Sequence, residues 1–258
     1  MNVLNIKDFK MKVKVLGTGN AFNQQCRLNS SFLLDSQDLR ILIDCGFTAP
    51  LALQKEKIEF SSIDYVFITH YHGDHFAGIA SLLLGLKYVF KQHKKLTIIG
   101  PGDVKAKVIE LLTVLYAGTE VMVYELNIEF VSVPIEGSTL NIGEMHVDVH
   151  KMIHSEASLP VGYVLKINTF RIGFSGDTSW HDGIIPFVNS CDKVILECNF
   201  SETIGEGHIS VEELECSIEI QEKKADLYLT HLYEGSSKKA SKFGYQTLSD
   251  GDELNFET

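Results

Sequence analysis

The sequence lacks everything that would place it in a membrane or a disulfide scaffold. No apolar run approaches the roughly 20 residues that cross a bilayer; the longest candidate, residues 76–86, is interrupted by Gly78 and Ser81. Residues 1–8 carry no basic stretch followed by an apolar one, so no secretory signal is visible. The five cysteines, Cys26, Cys45, Cys191, Cys198 and Cys216, include no Cys-x-x-Cys pair and are odd in number. That argues against a disulfide framework and a zinc knuckle alike. Solenoid repeats and Pro- or Ser-rich linkers are missing too, so one domain over residues 1–258 is expected. Positive charge is scarce: 23 Lys and Arg against 34 Asp and Glu give a net charge of −11, a surface that repels phosphate backbones. Extended nucleic-acid binding is therefore disfavoured, and the pairs Lys94-Lys95, Lys223-Lys224 and Lys238-Lys239 read as solvated faces. A soluble, cytoplasmic chain with reduced thiols is expected.

What is present is a string of short apolar runs, many ending in polar or Gly-containing turns. Residues 13–16, 31–34, 41–44, 65–69, 96–100, 129–133, 145–153, 161–167, 170–175, 193–197 and 227–230 read as strands. After His75, the residues Ile79, Leu82, Leu83, Leu86, Val89 and Phe90 follow the spacing of a helix that packs one face on a sheet. Residues 104–116 read as a second helix, and a third follows Ser210, which stands in capping-box spacing with Glu213. Strands first in succession and then alternating with helices predict stacked mixed sheets covered by helices, an α/β layered sandwich.

The polar residues of interest stand where apolar runs end. The run 65–69 leads straight into His70-Tyr71-His72-Gly73-Asp74-His75 and then into the helix. Three imidazoles and a carboxylate within six residues suit zinc or a similar divalent ion. In an extended turn His70 and His72 point the same way, whereas Asp74 and His75, entering the helix, aim at a second point. Three isolated residues share the setting: His154 after 145–153, Asp177 after 170–175 and His231 after 227–230. Side chains at several strand ends on one sheet edge converge in space. His146 and His150, earlier in the same run as His154, are left to packing or surface, and His93 and His181 have no partner pattern. Trp180 either walls a pocket or packs in the core. Gly17-Thr18-Gly19 is followed by no Lys-Ser/Thr and is a bend rather than a phosphate loop.

With these residues the sequence resembles the metallo-β-lactamase fold superfamily, and within it the ribonuclease Z-like branch. The matching segments are Leu16-Gly17-Thr18-Gly19, Leu42-Ile43-Asp44-Cys45-Gly46, the histidine string, His154-Ser155, Ser175-Gly176-Asp177-Thr178 and Leu229-Thr230-His231. Leu196-Glu197-Cys198-Asn199-Phe200, Gly205-Glu206-Gly207-His208-Ile209-Ser210 and Asp250-Gly251-Asp252-Glu253-Leu254 look like further segments of that branch. The resemblance implies a four-layer αβ/βα sandwich of two mixed sheets flanked by helices, with a two-metal site between the inner sheet edges. On that basis His70, His72 and His154 hold one divalent ion, Asp74, His75 and His231 the other, and Asp177 bridges them. Asp44 orients ligands from behind. Zinc is the expected metal, with manganese and iron as alternatives that also accept His and Asp donors.

Ribonuclease Z proper carries a long tRNA-gripping arm between the third-ligand His and the bridging Asp. Here 22 residues separate His154 from Asp177, filled by two strands and a tight turn. The expected activity is that of a binuclear metal-dependent hydrolase, a phosphodiesterase acting on a small nucleotide or an RNA end. Asp74 orients the attacking hydroxide or takes its proton, and His208, on a Gly-rich loop with Gly205 and Gly207 and paired with Glu197, clamps a phosphate or protonates the leaving group. The alternatives are a lactone, ester or thioester hydrolase, and a tRNA 3′-processing endonuclease despite the missing arm. A redox or purely binding member of the fold is disfavoured by the intact His set. The branch often pairs, so a homodimer is compatible with the sequence.

Overall fold

The computed structural model describes residues 10–36, 39–203 and 207–257. The N-terminal residues read above for a signal, and Gly205 of the Gly-rich loop, lie outside them. In the first sheet, β1 (Lys10–Gly17), β2 (Ser31–Ser36) and β3 (Leu39–Ile43) run antiparallel, and β4 (Tyr65–Phe67), β5 (Leu96–Pro101) and β6 (Ile128–Val133) continue parallel to β3. The second sheet repeats the plan. The antiparallel strands β7 (Ser138–Ile142), β8 (Met145–Lys151), β9 (Val161–Ile167) and β10 (Phe170–Phe174) are followed by parallel β11 (Lys193–Glu197), β12 (Leu227–Thr230) and β13 (Gln246–Thr247). The last strand, β14 (Glu253–Glu257), returns to pair with β1.

Alternation along the strands builds the layers. Ile41, Ile43 and Phe67 face a core shared with Tyr163, Ile172 and Phe174 of the second sheet. Their neighbours Leu42 and Val66 face the opposite way, under α1 (Ala49–Lys55), α3 (Gly78–Tyr88) and α4 (Val104–Leu115). Val164, Val194 and Leu229 likewise face out from the second sheet, under α6 (Ile184–Asn189), α7 (Val211–Cys216) and α8 (Ile218–Glu222). Single-turn α2 (Gly73–Phe76), α5 (Met122–Glu125) and the polar α9 (Glu234–Lys242) complete the described helices. The result is helix, sheet, sheet, helix, the four layers expected, with each sheet hydrophobic on both faces.

Several boundaries differ from the sequence reading. The run 41–44 ends as a strand at Ile43 because Asp44 adopts φ 57° and turns the chain. Strand β4 stops at Phe67 and not at residue 69, since the Thr69 amide is drawn off to the Asp44 carboxylate. Strand β8 stops at Lys151, where Ile153 N–H leaves the ladder for Thr178 Oγ1. Helix α3 ends at Tyr88, so Val89 is exposed and Phe90 packs on Phe60 instead of the sheet. Strands β7 and β13 and helices α1, α5, α6, α8 and α9 had no reading in advance. The capping box is present: Ser210 Oγ accepts from Glu213 N–H, while the Glu213 carboxylate accepts from Ser210 N–H.

Candidate metal centre

Strands β3 and β4 of one sheet and β8, β10, β11 and β12 of the other all present their carboxyl ends to the same edge. Asp44 follows β3 and the histidine string follows β4; His154, Asp177 and His231 follow β8, β10 and β12, and Glu197 ends β11. Six separate strand ends thus aim polar side chains into the cleft between the sheets.

The structure brings together all seven residues singled out for metal binding. One atom each from His70, His72 and His154 lies within 4.8 Å of the others, and the same holds for Asp74, His75, Asp177 and His231. His154 Nε2 is 3.1 Å from His72 Nδ1. Asp177 stands between the groups: its Oδ2 is 3.8 Å from His70 Nε2, 3.9 Å from His154 Nε2 and 3.4 Å from His231 Nε2, while Oδ1 is 3.2 Å from His75 Nε2. Asp74 Oδ2 is 3.5 Å from both His75 Nε2 and His231 Nε2. His70 and His72 fall in one group and Asp74 and His75 in the other.

Hydrogen bonds from outside fix how the imidazoles face inward. Asp44 Oδ2 accepts from His75 Nδ1 at 2.7 Å and from Thr69 Oγ1 at 2.8 Å. With its proton committed to Asp44, the Thr69 hydroxyl accepts from His70 Nδ1 at 3.1 Å. Gly207 O accepts from His154 Nδ1 at 2.7 Å. In each case the outer nitrogen donates, which turns the inner Nε2 towards the cleft as the atom a bound ion would take. Sequence reasoning missed Thr69 and the Gly207 carbonyl; their adjacency to His70 and His208 was the available signal.

A divalent cation fits this donor set. His70 Nε2, His75 Nε2 and Asp177 Oδ1 are buried without a hydrogen-bond partner, a costly state for polar atoms unless something else binds them. The carboxylates of Asp44, Asp74, Asp177 and Glu197 are buried near one another. Among the described residues their recorded partners are histidines, a hydroxyl and backbone amides, with no Lys or Arg. Burial pushes His70 well down and keeps it neutral. Burial also opposes a charge on His75, but Asp177, Asp44 and Asp74 overcome it and hold its proton well above the usual range. The cleft demands positive charge.

His208 stands at the edge of the group, its ring stacked on His231 with centroids 5.2 Å apart. Its Nδ1 donates to Glu197 Oε1 at 2.8 Å and is 4.0 Å from Asp177 Oδ2. Glu197 is held in turn by the amides of Thr178 at 2.9 Å and Asn199 at 3.0 Å. Burial works against a charged His208, yet the hydrogen bond and charge of Glu197 outweigh it and push the imidazole up to about 9. In the metal-free protein Glu197 thus favours the protonated form of His208.

The remaining candidates fall outside the cleft. His146 bonds Asn141, His150 packs on the Phe187 ring, and His181 accepts from Gly183 N–H. Trp180 packs against the core beneath α6 and α7. Thr18 of the Gly-Thr-Gly bend is buried and donates through N–H and Oγ1 to Asp250 Oδ1, which ties that turn to the C-terminal strand.

A family model described as Anti-Pycsar protein Apyc1 matches residues 11–253. Ribonuclease Z of Clostridium novyi (strain NT) is 32% identical over 164 residues, 60% of this chain and 50% of that protein. The Anti-Pycsar protein Apyc1 of Saccharibacillus brassicae is 37% identical over 91 residues, 35% of this chain and 36% of that protein. The chain thus spans half or less of the length of these curated relatives. Among solved structures, the metallo-β-lactamase fold protein YhfI from Bacillus subtilis superposes with a TM-score of 0.75 at 26% identity, covering 97% of this chain and 100% of the other. The metallo-β-lactamase fold expected from the histidine string is the fold observed. No described helix is long and apolar enough to cross a membrane.

Proposed function

The chain belongs to the Anti-Pycsar Apyc1 family, and from that premise we propose that it is a binuclear metal-dependent phosphodiesterase acting on a small nucleotide or an RNA end. The observation that carries this reading is the His208–Glu197 pair at 2.8 Å, a second positive group beside a centre already built for cations. A diester anion and its leaving alkoxide need that extra charge; a neutral lactone or thioester does not. The name of the ribonuclease Z relative points the same way.

His70, His72 and His154 would hold one ion and Asp74, His75 and His231 the other, with Asp177 shared; zinc is the metal we assign to these His and Asp donors. Bound there, divalent ions acidify a water and neutralise charge growing on a phosphate oxygen. Asp44 fixes the His75 ring and, through Thr69, that of His70. Asp74 is the carboxylate placed to orient the attacking water and receive its proton. His208, charged and anchored through Nδ1, keeps Nε2–H to grip a phosphoryl oxygen or protonate the departing alkoxide. Glu197 holds that proton at His208 in the ground state.

The β9–β10 turn is a tight hairpin that leaves no room for a tRNA-gripping arm, which favours small substrates over precursor tRNA. The smallest nucleotide that contains a phosphodiester is a cyclic mononucleotide, so the test panel sets 3′,5′- and 2′,3′-cyclic mononucleotides and bis-p-nitrophenyl phosphate beside a lactone, an ester, a thioester and precursor tRNA. Turnover of the phosphodiesters above the acyl substrates is expected. Preference for an acyl substrate, or for precursor tRNA, overturns the reading.

A further inference from the structure

We propose that Ser179 is a positioning residue: by holding the Gly207 peptide it fixes the His208 imidazole relative to the candidate ligand His154. The His208 half of this rests on the phosphodiesterase reading, which gives that imidazole its work on the phosphate; the His154 half does not.

Gly207 is gripped on both sides. Its N–H donates to Ser179 Oγ at 2.7 Å, and its carbonyl accepts from His154 Nδ1, also at 2.7 Å. At φ +95° it stands in the left-handed region, and the place of a Cβ is 3.1 Å from His154 Nδ1, so the close approach calls for a glycine. A glycine has no side chain to anchor its own peptide plane, and the Ser179 hydroxyl supplies that anchor. The next residue is His208, whose Nδ1 donates to Glu197 Oε1 at 2.8 Å and whose ring centroid lies 4.9 Å from that of His154. Two consecutive residues therefore touch both the ligand cluster and the Glu197 carboxylate, and a shift of the Gly207 peptide displaces both imidazoles.

Ser179 is itself fixed by the chain it serves. Its N–H donates to Ile153 O at 2.6 Å, directly before His154. One residue earlier, Thr178 receives Ile153 N–H on Oγ1 at 3.1 Å and donates its own N–H to Glu197 Oε1 at 2.9 Å. Before it comes Asp177, which stands between the two ligand groups. The residues that follow β10 thus hold, in order, the ligand cluster, the Glu197 anchor and the Gly207 peptide. Of these holds, the one on Gly207 depends on the Ser179 side chain. Ser179→Ala removes it and leaves the bond to Ile153 in place. Ser179 and Gly207 are both half-buried, so water can take the freed N–H and folding is spared.

Two measurements on Ser179→Ala test the assignment: metal affinity, by competition with a chromophoric chelator, and diester turnover at saturating metal, where weaker metal binding does not enter. Affinity is expected to fall about threefold to tenfold, the range that one hydrogen bond contributes. Turnover is expected to fall about tenfold. Ser179→Thr, which keeps the hydroxyl, is expected to match the wild type in both. In a His208→Asn background, Ser179→Ala is expected to cost less than about twofold in turnover, because the residue it acts through is gone, while its effect on metal affinity persists. Unchanged affinity or turnover in Ser179→Ala, a loss in Ser179→Thr as large as that in Ser179→Ala, or the full loss of turnover retained in the His208→Asn background overturns the assignment. Failure of the phosphodiesterase reading would look different: the wild type turns over no diester, while metal affinity still falls in Ser179→Ala and is restored in Ser179→Thr.

Discussion

Asp44 accepts a hydrogen bond from His75 Nδ1 at 2.7 Å, and the same carboxylate takes the amide and the hydroxyl of Thr69. A residue on β3's end therefore sets the orientation of two imidazoles on the turn after β4. Asp44 adopts φ 57° to do so, a conformation that Asp tolerates better than most residues.

Asp44→Asn keeps the size and loses the charge that fixes the His75 tautomer. Metal affinity should fall about 10- to 100-fold, as for other outer partners of ligating histidines. Competition with a chromophoric chelator measures it; unchanged affinity would mean that Asp44 only shapes the turn.

His208→Asn and Glu197→Gln remove the second cation and its anchor. Phosphodiester turnover should fall by about 10²–10⁴, with metal content preserved. Steady-state kinetics beside metal analysis checks this, and a loss of metal in either variant would move His208 from substrate handling to the centre itself.

Two glycines of the motifs should respond differently. A Cβ on Gly46 would collide with the backbone carbonyl of Asp74, which cannot move without displacing the ligand turn. A Cβ on Gly73 would stand 2.5 Å from the end of the Phe47 ring, which is 61% exposed and free to swing away. Gly46→Ala should therefore cost more than about 3 kcal/mol of stability and Gly73→Ala about 1 kcal/mol. Denaturant unfolding of the two variants gives the comparison.

Chelation should lower the melting temperature. A ligand at a thousand times its Kd stabilises by about 4 kcal/mol, and here its removal leaves carboxylates facing one another. The pH dependence has a definite sign. In the metal-free protein the His75 proton is held well above its ordinary value, against burial, by Asp177, Asp44 and Asp74. Its contribution is complete below about pH 6.5 and is lost as pH rises towards the folded-state value. The gap in melting temperature between loaded and chelated protein should thus widen from pH 6 to pH 8; a gap that narrows would contradict the electrostatics described.

The placement of the site was legible because each of its residues interrupts or ends an apolar run: His70 after Ile68, Asp177 after Phe174, His231 after Leu229. Helix α9, Glu-Gly-Ser-Ser-Lys-Lys-Ala-Ser-Lys, was not legible, since it has scarcely any apolar periodicity and is placed by its packing. Strand β7 escaped notice as an alternating edge of moderate burial. The links that aim the histidines were hidden for another reason. The Gly207 carbonyl meets His154 across 53 residues, and that contact exists only once the sheets are stacked.

The central claim is that seven side chains from four separate strand ends hold a pair of cations. Metal analysis by plasma mass spectrometry on gently purified protein, with His154→Ala and Asp177→Ala alongside, tests it most directly. About two ions per chain, falling in both variants, is the predicted result. Fewer than one ion per chain in the wild type, or full occupancy in the variants, would contradict it.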